Sequence, residues 1–202
     1  MPGYDLVVWD FDGVLNRNIR DGRFSWTDDL KTDLGIDPEE FSPDFFGRER
    51  IEDILRGRRD LVEELDAWLA RRGHDLSGLA FRDYWFSRDA MPDAQVISWL
   101  DAHPGRRVIG TNNERHRARY IAEDLGFGAR VERVFASGEM GVAKPDMGFY
   151  AEIERWSGLP PARILLIDDL ARNTEAASRR GWKTFRFGDD TRDRLPETLG
   201  LA

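Results

Sequence analysis

Residues 5–10, Asp-Leu-Val-Val-Trp-Asp, form a short run that is apolar through its interior and stops at an acid, with Phe11, Asp12 and Gly13 behind it. A strand without polar alternation is buried on both faces, the condition of a central strand in a parallel sheet covered by helices. An acid that closes such a strand sits at the carboxyl edge of the sheet, where open α/β sheets bind their ligands.

Similar runs recur at 107–111 (Arg-Val-Ile-Gly-Thr), 164–168 (Ile-Leu-Leu-Ile-Asp) and 183–187 (Lys-Thr-Phe-Arg-Phe), with a weaker one at 133–137. Between them the apolar spacing is helical. Asp93 to His103 puts Val96, Ile97, Trp99 and Leu100 on one face. Arg115 to Leu125 does so with Tyr120, Ile121 and Leu125, and Gly126 is the stop. Phe149–Trp156 and Thr174–Arg180 complete an alternation that predicts a parallel α/β sheet. Residues 16–90 break this rhythm: Ile51, Ile54 and Leu55, then Leu61, Leu65, Trp68 and Leu69, recur at helical spacing with no parallel-strand run among them. They are expected to form a helical insertion over the strand ends, the alternative being extra helices packed on the sheet. Residues 1–15 and 91–202 then make up the sheet portion, and the C-terminal stretch is expected to be a short helix or tail.

The 202 residues, 41% of them hydrophobic, are enough to fill a core. A formal charge of −8 and a pI of about 5.0 speak against a nucleic-acid footprint, which needs a basic face. They leave room for a small anionic substrate, because a bound divalent cation can dominate the local field. No apolar run approaches the roughly 20 residues of a spanning helix, so no membrane partner is expected. The N-terminus lacks the basic start of a signal peptide, and cysteine is absent, which excludes disulfide and thiolate chemistry. A cytoplasmic protein is expected.

Asp10 and Asp12, one residue apart and followed by a glycine, can do complementary work: one carboxylate attacks phosphorus while the other protonates the leaving oxygen. Turn chemistry alone produces the same pattern. The run at 164–168 also ends in acids, Asp168 and Asp169, with Asn173 close behind at a helix start. Adjacent carboxylates repel unless a cation or proton joins them. Oxygens from Asp10, the backbone carbonyl of Asp12 and an acid of this pair suit octahedral Mg²⁺. Thr111 and Asn112 bring a hydroxyl and backbone amides that open a helix, which suits phosphate oxygens. Lys144, held extended by Pro145, can offset Asp10 and hold phosphate as a point charge. Each has a bland reading as an N-cap, a solvated cation or a helix-start acid, but four such coincidences in one order favour a shared site. Arg48, Arg50, Arg56, Arg58 and Arg59 crowd the insertion and either meet a second anionic group or face solvent, the latter being expected. Trp85 and Phe86 are expected to pack the base of the insertion rather than line a pocket.

The stretches VVWDFDGVL, VIGTNN, GVAKPD and LLIDDLARN resemble the four motifs of the haloacid dehalogenase superfamily, in family order from residue 5 to 173. The resemblance implies a Rossmann-like sheet of strand order 3-2-1-4-5 with a cap inserted after the first motif. ILRGRRDLVEEL and YWFSRDAMPDAQVISWL are more loosely similar to the small-cap, glucose-1-phosphate phosphatase-like members. By resemblance Asp10 is nucleophile and metal ligand, and Asp12 is the acid/base with its carbonyl on the metal. Thr111 and Asn112 hold phosphate, and Lys144 steadies Asp10 and the phosphate. Asp169 is the direct metal ligand, Asp168 acts directly or through water, and Asn173 supports the acidic loop. The implied activity is Mg²⁺-dependent hydrolysis of a small phosphorylated metabolite, a sugar phosphate foremost, through an aspartyl-phosphate. Phosphoryl transfer as in β-phosphoglucomutase, which shares the D-x-D-G-V start, and a non-catalytic binding role are the alternatives. Dehalogenation is disfavoured because the family's dehalogenases lack the second acid and the metal, whereas Asp12 is present.

Overall fold

The computed structural model describes residues 3–20 and 22–201. Strand β1 (Leu6–Trp9) is buried along its whole length. Its alternate side chains feed two cores, Val7 and Trp9 on one face and Leu6 and Val8 on the other, as the twofold period of a strand requires. An antiparallel hairpin, β2 (Ile19–Arg20) with β3 (Arg23–Phe24), follows. After a 3₁₀ turn come α1 (Leu30–Leu34), α2 (Pro38–Phe45), α3 (Arg48–Leu55), α4 (Leu61–Arg72) and α5 (Gly78–Asp89). The chain returns through α6 (Ala94–Ala102), β4 (Arg106–Thr111), α7 (Arg115–Arg119) and β5 (Val134–Ala136). It closes with α8 (Ser137–Met140), α9 (Met147–Ser157), β6 (Ile164–Asp168), α10 (Ala171–Arg179), β7 (Lys183–Arg186) and α11 (Leu195–Leu199).

The large sheet is parallel throughout, in the order β5-β4-β1-β6-β7. Counting only its own strands, this is the 3-2-1-4-5 order the resemblance implies. Because the chain leaves β1 first toward β4 and later toward β6, the strand order reverses there, and a crevice opens at the carboxyl ends of these three strands. Val96 and Leu100 of α6 and Leu195 and Leu199 of α11 cover one face. Phe149, Tyr150 and Ile153 of α9 with Ala176 and Ala177 of α10 cover the other.

The helices α1 to α5 enclose a core of their own, which includes Trp26, Phe41, Trp68 and Phe81. Phe41 meets the Trp68 and Phe81 rings edge-on at 4.9 and 5.0 Å, and Trp26 stacks on Trp85 at 4.5 Å. Aromatic pairs of this kind add about 0.5–1.5 kcal/mol each beyond the area they bury. Helix starts are fixed by side chains: Asp60 accepts from the N–H groups of Val62 and Glu63, and Ser77 from that of Ala80.

Two features depart from the sequence pattern. The β2–β3 hairpin has strands too short to leave an alternation in the sequence. The helix expected from Arg115 to Leu125 changes at Tyr120 into a π turn over Tyr120–Asp124, where the Tyr120 ring reaches Phe86 at 5.4 Å. Among the described residues no helix is long and apolar enough to cross a membrane.

Candidate active site

Asp10 continues the line of β1, its N–H donating to the carbonyl of Ile167 at 2.9 Å. Its Oδ1 accepts the N–H of Phe11 at 2.7 Å and lies 2.9 Å from Lys144 Nζ. Lys144 arrives from the loop between α8 and α9, and its Nζ also sits 2.6 Å from Asp168 Oδ2. Burial by itself would lower the pKa of this lysine, but the carboxylates of Asp10 and Asp168 outweigh it and hold the ammonium above its ordinary value. Lys144 is therefore a permanent cation. Burial pushes the Asp10 carboxyl well up, the charge of Asp168 adds to this, and Lys144 pulls against both.

Asp168 is fully engaged. Besides Lys144 it accepts the Leu170 N–H and the Asn173 Nδ2 amide, each at 2.9 Å. Its neighbour Asp169 is half-buried and accepts no hydrogen bond from another described residue. Burial first, and then the charge of Asp168, push its carboxyl up to about 6. One oxygen from each of Asp10, Asp168 and Asp169 lies within 4.8 Å of the others. Gly13 has φ of 81°, and a Cβ at that position would stand 2.6 Å from Asp169 Oδ2, so only glycine both makes the turn and leaves the carboxylate its space. The cluster is rich in negative charge, offers only hard oxygen donors and has one buried lysine to balance it. Those are the properties of a magnesium site, and the residues present fit that ion.

Asp12 serves a different environment. Its Oδ1 accepts amide protons from Asn18 at 2.8 Å and Asn16 at 3.1 Å, and its Oδ2 accepts from Asn113 at 2.9 Å. Arg117 stands 3.9 Å from Oδ1. Asn18 also donates to Asp89 Oδ1 and Asn16 to the Asp89 carbonyl, both at 2.8 Å. Asp89, the last residue of α5, pairs with Arg117 at 2.6 Å. Burial, and then the charge of Asp12, push the Asp89 carboxyl up to about 7 against the pull of Arg117. The inserted helices are thus tied through Asp89 to the groups that orient Asp12.

The other expected residues lie at the same edge. Thr111 ends β4, and its Oγ1 accepts from Asn113 at 2.7 Å. The Asn112 side chain is committed to the backbone of Lys144, donating to its carbonyl and accepting its N–H, both at 2.8 Å. It fixes the lysine loop and leaves only its main chain to meet a phosphate. Asn173 holds Asp168 from below. Asn16, Asn18, Asp89, Asn113 and Arg117 escape the sequence reading. Asn16 and Asn18, two residues apart just after Asp12, carry a usable signal, since that spacing puts both on one side of an extended chain. Asp89 and Arg117 carry none, because their partnership spans 28 positions.

The arginine cluster does not meet the site. Arg48 pairs with Glu52, Arg50 with Glu64, Arg58 and Arg59 with Asp53, and Arg56 with Asp146. Trp85 and Phe86 do more than pack: both line a cavity of about 410 Å³ that begins at Asp12.

The family model for haloacid dehalogenase-like hydrolase matches residues 4–181. No curated protein matches the chain. Several solved structures share its fold. One, described as a predicted HAD-like family hydrolase from Porphyromonas gingivalis, is 22% identical over 98% of each chain, with a TM-score of 0.78. A HAD family enzyme from Bacteroides thetaiotaomicron, in complex with magnesium and inorganic phosphate, is 19% identical over 91% of this chain and 93% of its own, with a TM-score of 0.74. The L-2-haloacid dehalogenase of Xanthobacter autotrophicus is 18% identical over 98% of this chain and 88% of its own, with a TM-score of 0.66. At these identities the likeness establishes the fold.

Proposed function

The chain belongs to the haloacid dehalogenase-like hydrolases, and on that premise we propose that it is a Mg²⁺-dependent phosphohydrolase that cleaves a phosphate monoester through an aspartyl-phosphate on Asp10. The observation that carries this reading is the separation of the two carboxylates behind β1. Asp10 lies in the cluster of Lys144, Asp168 and Asp169, while Asp12 is held by asparagine amides at the mouth of a cavity. Carboxylates in unlike surroundings take unlike roles.

An oxygen of Asp10 attacks phosphorus as the bond from phosphorus to the leaving oxygen breaks, and Asp12 gives its proton to that departing oxygen. Water then adds to phosphorus and passes a proton to Asp12 as the bond to Asp10 breaks. Inorganic phosphate leaves, Asp10 returns as a carboxylate and Asp12 is protonated again. Lys144 balances charge on Asp10 and the phosphoryl oxygens, which Thr111 and the backbone amides after β4 also meet. Asp10, Asp169 and the Asp12 carbonyl, with Asp168 directly or through water, would hold magnesium, and the ion would supply charge neutralisation for the phosphoryl group. Residues 16–90 act as the cap that covers the leaving group.

The Bacteroides fold-mate carrying magnesium and inorganic phosphate supports this reading. The dehalogenase likeness suggests halide displacement instead, but that reaction has no use for a proton on Asp12 or for the Asp168–Asp169 pair. Phosphate release from simple phosphate monoesters, with Mg²⁺ and with chelator, tests the proposal, and halide release from 2-haloacids is assayed alongside. Phosphate is expected only with Mg²⁺. Equal release in chelator would remove the metal from the mechanism, and halide release without phosphate release would replace the proposal.

A further inference from the structure

The leaving oxygen must lie within hydrogen-bond reach of Asp12 for that residue to protonate it. Whatever is attached to the phosphate therefore occupies the cavity that begins at Asp12. Its volume of about 410 Å³ is typical of a small-molecule site. Its roof is apolar: Ile51, Ile54 and Leu55 come from α3 and Leu61 from the start of α4, with the rings of Phe46 and Trp85 beside them.

Most polar groups of its floor already have partners. Arg117 and Asp89 pair with each other at 2.6 Å. Glu114 accepts the N–H groups of His116 and Arg117 at 2.7 and 2.6 Å. Asn112 grips the Lys144 backbone, and Asn113 bridges Asp12 and Thr111. Several sugar hydroxyls entering here would lose water and gain few partners, whereas an apolar group loses nothing of the kind. A larger, charged cavity of about 820 Å³ lies elsewhere, bordered by Asp169, Gly13 and several arginines but not by Asp12.

We infer that the cavity beside Asp12 is an apolar leaving-group subsite, and that the substrate is the phosphate monoester of an apolar alcohol rather than of a sugar. This rests on the phosphohydrolase reading and departs only from the sugar phosphate that the resemblance implies.

Two measurements on the intact protein with Mg²⁺ test the inference. Calorimetric binding of n-alkylphosphonates, which cannot turn over, should tighten about fourfold for each added methylene from methyl to hexyl. Turnover of 2-phenylethyl phosphate should exceed that of glycerol phosphate and a hexose phosphate by at least about tenfold in kcat/KM, a comparison among alkoxide leaving groups. Leu55→Asn should flatten the chain-length series, since it sets an amide in the roof. A flat series in the unaltered protein, with methylphosphonate bound, overturns the subsite and leaves the phosphohydrolase standing. A preference for the sugar phosphate does the same and points to the charged cavity beside Asp169. If no phosphonate binds and no phosphate is released, both readings fall together.

Discussion

The edge of the parallel sheet and the inserted helices face each other across Asp12, and they handle charge in opposite ways. At the sheet edge Asp10, Asp168 and Asp169 are crowded around one buried lysine, so the region retains an excess of negative charge. In the helices each arginine from Arg48 to Arg59 is matched by an acid, and the surface turned toward Asp12 is apolar. Uncompensated negative charge attracts a cation, which on the proposed reading in turn holds the phosphate, while the apolar surface meets the group attached to it. On the proposed reading reactivity and selectivity belong to separate segments of the chain, and substitutions should divide along that line.

The largest effect is expected at the sheet edge. Asp10→Asn keeps the volume but removes the attacking charge and a metal ligand, so turnover should fall at least about a thousandfold for every ester. Phosphate-release kinetics on protein with an unchanged melting temperature check this. Activity within about tenfold of the parent would break the division at its root.

Asp12→Ala should come next, costing roughly 10²–10⁴ in rate, the range of one positioned proton-transfer group. The loss should shrink with a nitrophenyl phosphate, whose leaving oxygen needs little protonation. The phosphorylated form of Asp10 should then accumulate and appear as added mass in the intact protein. A deficit equal for all leaving groups would reduce Asp12 to a turn residue and erase the contrast between the two carboxylates.

The same division explains how much of the protein is legible in its sequence. Strands β1 and β6 are short and apolar up to their acids, and β4 is apolar once past Arg106 and Arg107, so Asp10, Thr111 and Asp168 announce both the sheet and its candidate edge. Lys144 is legible because a proline follows it in a loop between helices. The grip of Asn112 on the Lys144 backbone is not, because it depends on how two loops meet in space. In the insertion, helical spacing reveals α3 and α4 but not where their apolar faces point. Leu55 and Trp85 read as packing residues until the fold sets them over Asp12.

The joint between the regions is expected to depend on its buried pair. Arg117 and Asp89 are almost inaccessible, their side chains 3% and 5% exposed. Arg117→Ala strands a buried carboxylate and should cost about 3–5 kcal/mol in denaturant unfolding. Adding Asp89→Asn removes the stranded charge, so the double variant should be more stable than the sum of the single losses predicts. Strict additivity would mean that the two are not coupled and that the helices are joined to the sheet by other contacts.

The smallest effect is expected where the same joint reaches the surface. Arg56, just beyond α3, pairs with Asp146, which precedes α9, at 2.6 Å, and the two side chains are 22% and 47% exposed. Solvent screens a pair this open, and holding a long arginine in one rotamer cancels much of what attraction remains. Arg115 donates to the Gly57 carbonyl at 2.9 Å and His116 meets Asp60 at 2.8 Å, so neighbouring contacts persist when Arg56 is removed. Arg56→Ala should therefore cost less than about 1 kcal/mol in urea unfolding. The difference should vanish near 1 M salt, where the screening length falls to roughly 3 Å. A loss of several kcal/mol that survives high salt would place the strength of the joint at its rim and not at Arg117. The helices would then be held over the site from outside, and the orientation of Asp12 would owe little to the buried pair.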